Sequence, residues 1–250
     1  MLKQLLVFFC LLLFFSLNSY GQEDFVNHTR LADDLRRGGQ FDLAITEYDK
    51  AIRKSKKRNP DLYLLHLNRG ICKSRTGDFF GAKTDLDMSV RLKPDHTETY
   101  LFRGTLARLL KNDQEALNDF SKAVELEPDN YFAHLYKADL YYEFKDFENA
   151  IICYSTVLQL RPEFSAAYIK RADVYFILQK YDEAIKDYSK AISIQPESGE
   201  AYFMRGLCKS MLSEEDTLGA CEDFRHAKSL GRNTNVPGIN LYCNSSDLEN

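Results

Sequence analysis

Arg69, Arg103, Arg171 and Arg205 each stand just ahead of a small residue, and Asp85, Asp119, Asp187 and Asp223 follow at matching places downstream. Guanidinium groups repeated in this way could form a ladder that holds anions, or they could pair with the carboxylates. The expectation is four structural ion pairs, each worth little if exposed. One stretch departs, with Lys137 and Cys153 where the others have Arg and Asp. The histidines offer no nucleophile or metal chemistry: His66 and His134 stand where equivalent stretches carry Tyr, which suits packing, and His28, His96 and His226 have no Cys or Ser at a motif-like spacing. No C-x-x-C, G-x-S-x-G, H-E-x-x-H or phosphate-binding glycine loop occurs. The chain therefore reads as non-enzymatic, with no cofactor and no metal site.

These residues recur because the chain repeats. "NDFSKAVELEP" (118–128) and "KDYSKAISIQP" (186–196) match almost residue for residue. Pro94, Pro128, Pro162 and Pro196 are 34 apart, as are Ala82, Ala116, Ala150 and Ala184. Small residues keep the step at Gly70, Gly104, Ala138, Ala172 and Gly206, and aromatic or His residues at His66, Tyr100, His134, Tyr168 and Tyr202. Within one period, apolar positions at three- and four-residue steps predict two amphipathic helices joined by a short polar turn and ended by Pro. Ala138 and Ala150 mark a close crossing of these helices, where a larger side chain would overpack by about 1–3 kcal/mol. Ala44 precedes Ala82 by 38, and Pro60 follows Ala51 by nine where later periods use five, so the second helix of the first unit is expected to be about one turn longer. Ala220 follows Ala184 by 36, which puts two extra residues in the turn "LSEEDTLG". "RKSKKR", Arg53 to Arg58, ends a helix, where positive charge is favourable in itself.

The small–small–aromatic–small–Pro pattern at this period resembles the tetratricopeptide repeat family, most clearly in "YLFRGTLARLLKNDQEALNDFSKAVELEP" and "YIKRADVYFILQKYDEAIKDYSKAISIQP". The resemblance covers about Phe25 to Gly231. It implies an all-α fold: a right-handed solenoid of about six helix–turn–helix units, starting near 25, 63, 97, 131, 165 and 199, with a C-terminal capping helix near Ile239–Cys243. Residues 22–231 form the array and 232–250 the cap and polar tail. Family members mostly bind other proteins in a concave groove lined by the first helix of each pair. By repeat position that groove takes Leu67, Leu101, Phe132, Leu135, Asp139, Tyr142, Ile169, Asp173, Phe176 and Phe203. One subclass grips C-terminal carboxylates with Lys and Asn at the positions of Leu101, Leu135, Ile169 and Phe203, so that activity is not implied here. The groove is apolar and aromatic with two acids one repeat apart. It suits a protein or peptide segment with apolar anchors and a basic residue; the alternative is a glycan or envelope polymer stacked on Phe132, Tyr142 and Phe176.

The N-terminus gives an address. One Lys precedes an unbroken apolar run from Leu5 to Phe15, and Ser19 and Gly21 supply small residues before Gln22. This is the layout of a signal peptide spanning residues 1–21 and cleaved between Gly21 and Gln22. The run is short of the roughly 18 apolar residues of a membrane span, so no stable span is expected after cleavage and the protein is expected to be periplasmic or secreted. Phe9 before Cys10 lacks the small residue of a lipoprotein cleavage box. With 33 basic against 37 acidic residues and a pI near 5.8, a nucleic-acid partner is not expected. Five cysteines follow the leader: Cys72, Cys153, Cys208, Cys221 and Cys243. Export permits disulfides, and an odd number leaves at least one thiol free or paired elsewhere. "GACEDFRHAKSLG" followed by "INLYC" resembles the terminating segment of secreted bacterial repeat proteins, which implies Cys221 with Cys243; Cys208 with Cys221 is the alternative.

Overall fold

Two amphipathic stretches per period give two helices per repeat. The computed structural model describes residues 23–56, 59–212, 217–232 and 243, and among these the secondary structure is helical throughout, with no strand. The helices, in order, are α1 (residues 23–37), α2 (Phe41–Lys54), α3 (Leu62–Thr76), α4 (Phe79–Leu92), α5 (Thr97–Leu109), α6 (Asp113–Leu126), α7 (Tyr131–Glu143), α8 (Phe147–Leu160), α9 (Ser165–Ile177), α10 (Tyr181–Ile194), α11 (Gly199–Leu212) and α12 (Thr217–Ser229). The fold is an all-α solenoid of antiparallel helix pairs. The leader and its cleavage point, most of the turn before α12 and the helix expected near Ile239 lie outside the described residues. No described helix is long and apolar enough to cross a membrane.

Contacts divide the chain into two units, Met1–Glu127 and Pro128–Asn250. In the first, α3 pairs with α4 and α5 with α6, and α2 and α4 pack on the helix that follows each. In the second, α7 pairs with α8, α9 with α10 and α11 with α12, while α8 and α10 pack on the helix that follows each.

The turn inside the α5–α6, α7–α8 and α9–α10 pairs is made by the backbone. Lys111, Lys145 and Gln179 follow their helices in the left-handed region, at φ 62°, 60° and 57°. The next amide then reaches back: Asn112 N–H donates to Ala107 O, Asp146 to Tyr141 O and Lys180 to Tyr175 O, each at 2.8 Å. Carbonyls left over at the helix end are thereby satisfied.

A ring or Leu at the middle of each second helix fills the pair. Tyr48, Leu86, Phe120, Tyr154, Tyr188 and Phe224 are all buried. The small residue opposite sets how near the helices come. A Cβ placed on Gly104 would lie 2.7 Å from Cε1 of Phe120, and one on Gly206 would lie 2.8 Å from Cε1 of Phe224.

The sequence expectation for α2 is corrected. It ends at Lys54 after 14 residues, the length of α4, so the extra residues lie in the connection to α3 and not in an added turn. Ser55 leaves the helical region at φ −67°, ψ 137°. Another turn would stack like charges from Arg53–Arg58 upon one another, and Pro60 disfavours helical backbone before it.

Candidate partner-binding face

Arg69, Arg103, Arg171 and Arg205 sit on first helices, and each meets its aspartate on the second helix of the same pair with a two-pronged contact. Nε and Nη2 of Arg103 donate to Asp119 at 2.9 and 2.7 Å. The equivalent distances are 2.9 and 2.5 Å for Arg69 with Asp85, 2.7 and 2.8 Å for Arg171 with Asp187, and 2.9 and 2.6 Å for Arg205 with Asp223. All four aspartates are buried. Each arginine is half-buried and turns its remaining nitrogen to the preceding repeat: Nη1 donates to Asp49, Asp87, Ser155 and Ser189 in turn, at 2.6, 2.9, 2.8 and 3.0 Å. One guanidinium thus joins three helices. This second arm was missed from the sequence, although its signal is there: Asp49, Asp87, Ser155 and Ser189 each follow the large core residue of a second helix. The geometry turns all three nitrogens of each guanidinium to neighbouring helices and favours structural pairing over an anion ladder.

Asp85 is met by three side chains, His66, Arg69 and Lys73. Burial would raise its carboxyl, but hydrogen bonds from His66, Arg69 and Lys73 outweigh that and hold it well below the usual range. His134, by contrast, repeats the role of Tyr100. Their tips meet Pro128 O and Pro94 O, each at 2.9 Å.

A second periodic contact was also missed. The hydroxyls of Tyr48, Tyr154 and Tyr188 donate to Asp33, Asp139 and Asp173 at 2.5, 2.8 and 2.6 Å. Asp139 and Asp173 are therefore anchored by the buried ring of their own repeat. Burial pushes the Asp173 carboxyl up, as does Glu200, against the hydrogen bond from Tyr188 and the charge of Lys170.

In the second unit, the first-helix face carries these acids beside aromatic rings. Phe132 is 44% exposed and stacks at 4.1 Å on Tyr131 and at 6.2 Å on Tyr136. Tyr142 meets Phe147 edge-on at 6.1 Å, and Lys170 from α9 places its ammonium 5.9 Å from the Tyr142 ring. Phe176 packs at 5.9 Å on Tyr181, with Ile177 exposed beside it. Leu135 and Ile169 are half-buried and pack against core clusters, so they form the floor. Leu101 is half-buried on α5 of the first unit.

Two expected groove residues are not on the face. Leu67 is buried among Ala82, Leu86 and Leu106. Phe203 is 4% exposed, because Phe224 packs on it at 5.8 Å and the Arg232 guanidinium lies 4.8 Å above its ring.

Cys221 and Cys243 form a disulfide, and Cys72, Cys153 and Cys208 are buried thiols. Burial pushes the Cys72 thiol up to about 11 and the Cys208 thiol up to about 12. Among the described residues no group of three or more His, Cys, Asp or Glu could hold a metal ion.

The tetratricopeptide repeat family matches residues 97–130, 114–163 and 165–198. Among solved structures, MamA shares 25% identity over 65% of this chain and 94% of its own, with a TM-score of 0.61. YrrB, described as a TPR protein with an unusual peptide-binding site, shares 20% over 75% of this chain and 95% of its own, with a TM-score of 0.61. A tetratricopeptide repeat protein from Parabacteroides merdae ATCC 43184 shares 19% over 91% of this chain and 100% of its own, with a TM-score of 0.66. No curated protein matches the chain.

Proposed function

We propose, since this chain belongs to the tetratricopeptide repeat family, that it is an exported, non-enzymatic scaffold that binds a segment of a partner protein on the first-helix face of its second unit. One observation carries the reading. Phe132 is exposed and Tyr142 and Phe176 are half-buried against the core, with the anchored carboxylates of Asp139 and Asp173 on the same helices. Rings fixed on rigid helices give contact area at small entropic cost. Carboxylates already oriented by a tyrosine suit a basic residue in the bound segment. The peptide-binding site ascribed to YrrB, on a similar fold, supports this use of the repeats. The export part of the reading is supported by the signal-like sequence pattern of residues 1–21, and an exported scaffold would work in the periplasm or outside the cell.

The test is a crosslinking capture from the exported fraction of the protein's own cells, run beside a variant with Tyr142→Ala and Phe176→Ala. A partner held by the first and lost by the second, at equal helicity, is the expected result. A partner held equally by both would remove the face from the account. Retention on envelope polymer without any protein partner, lost in the variant, would replace the partner with a glycan.

A further inference from the structure

The second and third repeats meet through α4 and α5, and their contact is polar where the others are apolar. Ser89 on α4 and Thr99 on α5 are fully buried, and their hydroxyls lie 3.0 Å apart. Nδ1 of His96 lies 2.9 Å from the same Thr99 hydroxyl. At the matching places the other junctions within a unit carry Ala51 with Leu65, Val157 with Ala167 and Ala191 with Ala201, all buried. Thr97, next to His96, is 3% exposed and its hydroxyl has no hydrogen-bond partner among the described residues. The start of α5 thus already bears one unpaired buried group.

The two hydroxyls can satisfy one another in one direction only. Thr99 has a single proton for two contacts, and among the described residues Ser89 Oγ has no other hydrogen-bond partner. Ser89 therefore donates to Thr99, and Thr99 donates to an unprotonated Nδ1 of His96, whose own proton sits on Nε2. Protonation of Nδ1 reverses the chain. The ring then donates to Thr99, Thr99 donates to Ser89, and the Ser89 proton is left buried without an acceptor. The charge is also badly placed, because His96 is the N-cap of α5, at the positive end of that helix. The ring lies edge-on to Tyr63 of α3 at 4.8 Å, and the Lys93 ammonium lies 5.0 Å from that same Tyr63 ring. Burial, the largest influence, holds the imidazole below its ordinary value with the help of Lys93, against the pull of Glu98, Glu127 and Asp95.

We propose that this junction is an acid-sensitive joint: protonation of His96 reverses the hydroxyl chain between α4 and α5 and loosens the third repeat from the second. A group depressed on folding contributes stability above its unfolded value, 6.5 for this histidine, and that contribution is lost as pH falls through the folded value. The joint therefore works at mild acidity. The alanine, valine and leucine residues at the matching places of the other junctions do not titrate. The joint lies within the first unit and does not depend on the partner-face reading of the second.

The experiment is amide hydrogen exchange of the protein followed by mass spectrometry at about pH 7.5 and about pH 5, corrected for intrinsic exchange, with α9 as the internal comparison. Opening of α5 is expected to rise about fivefold or more at the lower pH, with no such rise in α9. His96→Gln, which cannot take the charge, should abolish the rise. Ser89→Ala with Thr99→Ala, which gives this junction the apolar character of the others, should shrink it at unchanged helicity by circular dichroism. Equal behaviour of α5 and α9 in the unaltered protein overturns the joint, and that comparison needs no variant to fold. A full rise in His96→Gln assigns the titration to another group and overturns it as well. A full rise in the Ser89 and Thr99 double variant leaves burial of the ring as the cause and overturns the hydroxyl chain.

Discussion

In the third repeat the ring of Phe120 faces Gly104, with Thr105 beside it; in the fifth, Tyr188 faces Ala172 and its hydroxyl donates to Asp173. The other repeats fall into the same two sets. Gly70, Ile71 and Leu86 and then Gly206, Leu207 and Phe224 follow the third; Ala32, Asp33 and Tyr48 and then Ala138, Asp139 and Tyr154 follow the fifth. Three positions change together because they are one contact. A ring with no hydroxyl to satisfy lies against the crossing helix and needs glycine there. A ring drawn to an aspartate leaves space for a methyl group, and its buried hydroxyl needs that aspartate. The acids on the second unit's face are therefore consequences of the core.

The ion pair shared by both kinds of repeat should give the largest effect. Arg103→Met leaves Asp119 buried without its cation, and urea denaturation should show a loss of about 3–5 kcal/mol. The same change at Lys137, whose repeat has Cys153 in place of the aspartate, should cost far less. Next comes the crossing: Gly104→Ala forces a methyl group into Phe120 and should cost about 1–3 kcal/mol by urea midpoint. Ala172→Gly has no such clash to relieve and should lose only about 0.5–1 kcal/mol from backbone entropy. Asp173→Leu leaves the Tyr188 hydroxyl buried and unpaired, at about 1–3 kcal/mol. Adding Tyr188→Phe should recover much of that loss, since it removes the unpaired hydroxyl; no recovery in the double mutant would break the comparison.

Acid should separate the second repeat from the fifth. The Asp85 carboxyl is depressed on folding, so its contribution is present above the unfolded carboxylate value near 4 and is lost as pH falls below it. The Asp173 carboxyl is raised on folding, so the native state there gains relative stability as pH falls through its folded value. Between pH 5 and pH 2, Asp85→Asn should flatten the fall in melting temperature, while Asp173→Asn should steepen it slightly. Matching slopes for the two variants would contradict the assignment.

Much of this was legible because repeats pack mainly on their neighbours. The 34-residue spacing of Pro94, Pro128, Pro162 and Pro196 located the helix pairs, and the Arg–Asp registers pointed to contacts between them. Position in the repeat was a poorer guide to exposure. Leu67 and Phe203 share a register with Leu135 and Ile169, yet they are buried by what happens to lie over them. For Phe203 that includes Arg232, a residue beyond the last described helix. The extra residues after α2 were misplaced for a similar reason: a spacing gives the length of an insertion, while Ser55, the basic run and Pro60 decide whether it is helix or loop. The tyrosine–aspartate contacts escaped because each was read along one helix, as a core ring or a surface acid, and not across the pair.

The most direct test of the scaffold reading is a photo-crosslinking amino acid placed in turn at Phe132 on the first-helix face and at the exposed Ile152 of α8, each expressed in the protein's own cells. The reading predicts a discrete protein adduct from position 132 and none from position 152. An adduct from position 152 alone would place the partner on the other side of the repeat and contradict it.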